Sequence, residues 1–234
     1  MILRRLTKHI EDQNWFAVTL DFLIVVVGVF IGLQVANWND VSRAAAKEAA
    51  VIEQLQAEFT DTLAEIRISK THSDLTLEKT REVLRIIRDQ EEPEDAAEFL
   101  KTLRYAGSLA TAPAEPITLT ELLSSGGLSD LSSAGLRTAL TRYHQLSDQH
   151  QDLGALMLAR VSTPHDGFHA AIYVNPDFGE AGESLLARYD WDRLPEAREQ
   201  FQVLLYGKTA LSRNIEELII RGEAVMAELE AATK

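Results

Sequence analysis

The sequence predicts an all-α protein: an N-terminal transmembrane helix followed by an antiparallel bundle of three to four long helices with one irregular loop. Three observations lead there. Residues 22–33 carry no charged or polar side chain. Beyond residue 41, apolar residues recur at three- and four-residue steps over most of the chain. Only one run, 170–174, has a strand-like character, and it is short. The chain reads as a cytoplasmic amphipathic segment at 1–14, a transmembrane helix at 15–38 and an extracytoplasmic helical domain at 41–234.

In the first segment, Ile2, Leu3, Leu6 and Ile10 recur at helical spacing with Arg4, Arg5 and Lys8 between them. That pattern suits a short helix lying on a membrane surface, and it equally suits a frayed tail. Next, the residues flanking 22–33 extend the apolar helix to the roughly 20 residues that cross a bilayer core. Trp15 and Trp38 stand where the two headgroup layers would lie. The segment ends Gln34-Val35-Ala36-Asn37-Trp38, a poor signal-peptidase site, so a retained anchor is expected. Basic residues favour the N-terminal side, placing the N-terminus in the cytoplasm and the domain in the periplasm of a Gram-negative cell, on its inner membrane.

Asp21 either stays hydrated where the bilayer core begins or pairs with a basic group of a partner helix. Gly28 and Gly32 form a GxxxG, a spacing that lets a second helix approach closely. These three residues are the helix-packing candidates.

No Pro or Gly occurs between Leu33 and Glu92. Residues 41–89 read as helical with a polar lapse around 69–74; if unbroken, they form a rod of about 75 Å at 1.5 Å per residue, with Pro93 ending it. A short helix follows at 94–104, then a loop at 112–116. Thr118-Leu-Thr-Glu121 matches a capping box, and Gly126 and Gly127 stop the helix it opens. Ser132 or Ser133 caps the next helix, whose stripe reads Leu136, Leu140, Tyr143, Leu146, Leu153 and Met157, up to Pro164. Residues 165–183 form the irregular loop. The last helix is expected over 195–231, with Phe201, Leu204/Leu205, Leu211, Ile215, Leu218/Ile219 and Val225 as its stripe.

Composition narrows function by exclusion. The chain holds 36 acidic and 23 basic residues, a net charge of −13, and the excess lies beyond residue 21. Such a domain is unsuited to nucleic acid, whose phosphates select clustered Lys and Arg. There is no cysteine, hence no disulfide or thiol chemistry. His165, Asp166 and His169 place two imidazoles and a carboxylate in the irregular loop, a candidate ligand cluster that lacks the further ligands a transition-metal site requires. His144 and His150 sit six residues apart on one helix and diverge. No nucleophile motif, dinucleotide fingerprint or phosphate loop is present. The sequence is accordingly read as non-enzymatic, with no cofactor and no metal.

Two stretches carry a family resemblance: residues 21–40, ending Gln34-Val-Ala-Asn-Trp-Asn39, and residues 118–146, TLTELLSSGGLSDLSSAGLRTALTRYHQL. Their order and spacing resemble a family of bacterial single-pass membrane proteins known as a domain of unknown function. The resemblance implies an N-terminal anchor with an extracytoplasmic helical domain, and no catalytic residue.

Two functions are consistent with this reading. One is an accessory or scaffold protein binding a membrane or periplasmic protein, or a second copy of itself, with the bilayer as a constant partner. The other is a ligand-binding sensor signalling through a partner, which requires a pocket lined by Tyr173, Tyr189 or Trp191.

Overall fold

The computed structural model describes residues 15–162, 166–176 and 185–233. It is helical almost throughout. In chain order the elements are α1 (Trp15–Asp89), α2 (Ala96–Gly107), α3 (Ile117–Ser125), a 3₁₀ turn (Gly127–Asp130), α4 (Ala134–Ser162), α5 (Asp166–Ala171), β1 (Ile172–Val174), β2 (Leu186–Tyr189), a second 3₁₀ turn (Leu194–Ala197) and α6 (Arg198–Ala232). The backbone divides into two units, residues 1–50 and 51–234.

The described part of the first unit is the apolar opening of α1. Its large side chains, including Phe22, Val25, Phe30, Leu33 and Trp38, are all exposed. Among the described residues this is the one helix long and apolar enough to cross a membrane. The Arg43–Asp40 pair is exposed at 3.8 Å and contributes little.

The second unit is built on 51–89 of α1 together with α4 and α6. Contacts between Leu63 and Gly222, Ser212 and Asp74, and Lys208 and Thr80 set α6 antiparallel to this part of α1. Tyr143 against Gly222 and Met157 against Gly207 set it antiparallel to α4 as well. All three helices bury residues at alternating three- and four-residue steps. On α1 the buried set includes Ile52, Phe59, Ile66, Ser73, Thr80 and Ile87, spaced by sevens. On α4 it is Leu136, Leu140, Tyr143, Ser147, His150, Gly154 and Met157. Leu146 and Leu153, expected inside, are only half-buried, and Ser147, His150 and Gly154 take the interior instead.

The core has two apolar ends and a polar waist. Phe59, Leu136, Leu140, Tyr143, Ile215 and Leu229 belong to one cluster, where Phe59 and Tyr143 meet edge to face at 5.0 Å. Val83, Phe99, Leu103, Ile172, Phe201 and Leu204 belong to the other. Between them along α1 and α6 lie buried Ser73, Thr76, Thr80, Lys208 and Ser212.

Local chemistry explains the element ends. α1 stops at Asp89 because Gln90 turns left-handed (φ 56°), three residues ahead of Pro93. The Asp95 side chain accepts from the Ala97 and Glu98 amides and starts α2. Gly126, at φ 75°, ends α3. Ser133 Oγ accepts from Leu136 N–H and starts α4.

Two expectations are corrected. Thr118 does not cap α3: that helix begins at Ile117 after Pro116, and Thr118 turns to another helix. The described residues 166–176 are also more regular than expected. They hold α5 and β1, which forms a two-stranded antiparallel ribbon with β2, pairing Ile172 with Tyr189 and Tyr173 with Arg188. Sequence reading found β1 only, because β2 is four residues with no alternation.

Candidate functional site

The helix-packing residues of the first unit share one stripe. Asp21, Gly28 and Gly32 stand seven and four residues apart, so they line the same face of α1. All three are exposed, and a Cβ built on either glycine meets nothing within 4 Å. The stripe combines a carboxylate with two positions where a second backbone can come close.

The predicted ligand loop is only partly described. His165 lies outside the described residues. Asp166 and His169 are exposed on the short helix α5, where the His169 ring stands edge-on to Phe168 at 5.8 Å. Among the described residues, no group of three His, Cys, Asp or Glu side chains is arranged to hold a metal ion.

The aromatic residues proposed to line a pocket are occupied elsewhere. Tyr189 packs edge-on against Phe99 at 5.0 Å, and Trp191 lies against the same core cluster. The Arg188 guanidinium sits 4.0 Å over the Tyr173 ring, a cross-strand cation–π pair. Two open grooves lie on the α4/α6 seam. One, of about 570 Å³, is lined by Ala134, Thr138, Arg142, Glu217, Ile220 and Ala224 among others. The second, of about 550 Å³, is lined by Leu156, Met157, Arg160, Val203 and Tyr206 among others.

The concentration of polar chemistry in the second unit is the stretch 105–118, from the end of α2 to the start of α3. Ionisable side chains of all three long helices hold it. From α6, Lys208 Nζ donates to the carbonyls of Ala106 (2.8 Å), Tyr105 (3.1 Å) and Thr76 (3.3 Å) and to Thr80 Oγ1 (2.9 Å). Lys208 is 2% exposed, and among the described residues no carboxylate lies within ion-pair distance of it. Burial pushes its ammonium down to about 7. Tyr105 and Ala106 are in the last turn of α2, where unpaired carbonyls carry partial negative charge.

From α4, His150 Nε2 accepts the Ala112 N–H at 3.0 Å. A backbone amide can only donate, so the ring proton of neutral His150 is on Nδ1. That atom is buried with no hydrogen-bond partner. Burial lowers the pKa of this imidazole. Two turns earlier, His144 is bracketed by carboxylates: Nδ1 lies 3.0 Å from Glu115 and Nε2 3.4 Å from Asp148. The two histidines thus diverge on α4, as their spacing implies, yet both reach the same connector.

From α1, Glu58 accepts the Thr118 N–H (2.9 Å) and hydroxyl (2.7 Å). It supplies from a distant helix the cap that α3 lacks locally. Partial desolvation pushes Glu58 up, but bonds from Thr118, Gln54 and Ile117 outweigh it and hold the carboxyl below its usual range.

Lys208, Glu115 and Glu58 did not stand out in the sequence, and His150 was noted only for its spacing from His144. The available signal was register: Lys208 lies seven residues from both Phe201 and Ile215, and His150 seven from both Tyr143 and Met157. No protein-family model, curated protein or solved structure matches the chain.

Proposed function

We propose that this protein is a single-pass anchor of a bacterial inner membrane whose helical domain serves as an accessory or scaffold module. In this reading it binds a membrane or periplasmic protein or a second copy of itself. The observation that carries the proposal is the exposed apolar stretch of α1 with Asp21, Gly28 and Gly32 on one stripe. Lipid does not drive helices together by itself. Small residues and polar groups on one face are what make a membrane helix associate. The Lys and Arg distribution favours an N-terminus in the cytoplasm and a domain in the periplasm. The Gln34–Asn39 run supports membership of the single-pass family it resembles.

The sensor reading is less favoured, because Tyr173, Tyr189 and Trp191 are packed or paired instead of lining a common cavity. No catalytic role is proposed.

The test is gentle detergent extraction of the tagged protein from its native membrane, followed by native mass spectrometry. A discrete complex, with another protein or with itself, is the expected result. A monomer, with no partner trapped by crosslinking in cells, refutes it.

A further inference from the structure

The connector 108–116 is fastened to α4 at two points by two histidines in opposite chemical situations. At the inner point, buried His150 must offer a lone pair, because Ala112 presents an N–H. At the outer point, half-buried His144 lies between Glu115 and Asp148, both of which only accept. Neutral imidazole can donate to one of those carboxylates. Charged imidazole can donate to both.

We propose that 108–116 is a proton-operated strap, fastened at Ala112 while His150 is neutral and released there when His150 is charged, with the Glu115–His144 contact as its hinge. Protonating Nε2 sets one N–H against another 3.0 Å away, which turns an attractive contact into a repulsive one. The charged ring would then carry two donors, one of which already lacks a partner inside the protein. An uncompensated charge in that position is strongly unfavourable. The least disruptive relief is displacement of the covering backbone, which admits water to the ring. Pro113 and Pro116 limit how the segment can refold, so it moves as a short lever.

The other ionisable groups around the strap leave this assignment intact. At its inner end, Lys208 holds Tyr105 and Ala106, His72 stands edge-on to Tyr105 at 6.3 Å, and Arg104 lies over the same ring at 5.2 Å. All three are basic side chains, so none of them compensates a charged His150. At the outer end are Glu115, Asp148 and Tyr143, and beyond them Glu58. The lowering of the His150 pKa comes from desolvation alone. Release is therefore a mild-acid event below the ordinary imidazole range, and a periplasmic domain meets such a pH when its surroundings acidify.

The proposal is independent of which partner the domain binds. Its test is hydrogen–deuterium exchange on the full chain in detergent micelles at pH 7.5 and pH 5, corrected for intrinsic exchange and read on peptides covering 108–116. Protection in the wild type should fall at least tenfold while the centres of α4 and α6 keep theirs. His150→Gln offers a side-chain carbonyl that accepts the Ala112 N–H at any pH, so its strap should stay protected at pH 5. Unchanged wild-type protection would overturn the proposal, as would equal loss in the variant. Should His150→Gln fail to fold, the wild type decides through the His150 ring-nitrogen NMR shifts. Strap opening must share the midpoint of that titration, and two separate midpoints refute the coupling.

Discussion

Lys208 Nζ donates to the Ala106 carbonyl at 2.8 Å, joining two residues 102 apart in sequence at the centre of the domain. The ammonium has three protons for four neighbouring oxygens and no counter-charge among the described residues, so the cage recovers only part of what its hydration provided. The single Thr80 hydroxyl proton, held at 2.7 Å from Thr76 O, can turn to Ala106 O at 3.3 Å, and Tyr105 O accepts from Ser108, so donors are within reach of both carbonyls without the lysine.

Lys208→Met should therefore be neutral or stabilising by about 1–4 kcal/mol at pH 6. The sign of the pH dependence is specific. With Lys208 near 7 when folded and 10.5 when unfolded, the unfolded chain binds the extra proton between those values. Wild-type stability should rise with pH across that window by at most about 1.4 kcal/mol per unit. The Met variant lacks this rise, and denaturant unfolding at pH 6.5 and 9 distinguishes the two.

Glu58 caps α3 from α1, a bond pair that a local substitution cannot replace. Glu58→Ala leaves the Thr118 amide and hydroxyl without their acceptor and should cost about 1–3 kcal/mol, with Glu58→Gln, which keeps one oxygen, costing less. Because its folded pKa is lowered, the contribution is present above about 4.5 and fades as pH falls through the folded value. Midpoint shifts at pH 7 should thus shrink toward pH 3, and a constant shift would show that the carboxylate charge is irrelevant.

How much of this was legible in the sequence depends on what sits at interior positions. Where they are apolar, as at Leu136, Ile215 and Leu218, periodicity places them correctly. The stretch 69–74 is a lapse in the apolar pattern, yet Ser73 and nearby Thr76 are buried. Hydropathy is blind to such residues, whereas strict seven-residue spacing runs through them. On α6 the gap between Leu204 and Leu211 is Lys208, and the gap between Leu218 and Val225 is Gly222. The cap at Thr118 misled for a different reason. A capping box is a local pattern, and a carboxylate sixty residues away displaced it. The strap was not legible at all, since each of its fasteners joins distant segments.

Gln90 holds the left-handed conformation that closes α1. A side chain there costs roughly 1–2 kcal/mol, and glycine gives back about 0.5–1 kcal/mol through the freedom it adds to the unfolded chain. The difference favours glycine. Gln90→Gly should raise stability by up to about 1 kcal/mol, measurable as an upward shift of the thermal midpoint, and a downward shift would mean that the Gln90 side chain has a role of its own.

The stripe Asp21, Gly28, Gly32 gives the association proposal its sharpest handle. Leucine is as apolar as the lipid around it, so Gly28→Leu with Gly32→Leu leaves insertion intact and changes only how near a second helix can come. If two copies, or this chain and a partner, meet along this face, the double variant should weaken association at least tenfold, about 1.4 kcal/mol. Val27→Leu lies off the stripe and should leave it unchanged. Resonance energy transfer between labelled chains in liposomes measures the self-association case, and co-purification from native membranes measures the other. Loss in the glycine variant alone assigns the interface to this face. Equal behaviour of all three proteins would move the interface off the membrane helix and onto the domain, where the α4/α6 grooves are the next surfaces to substitute.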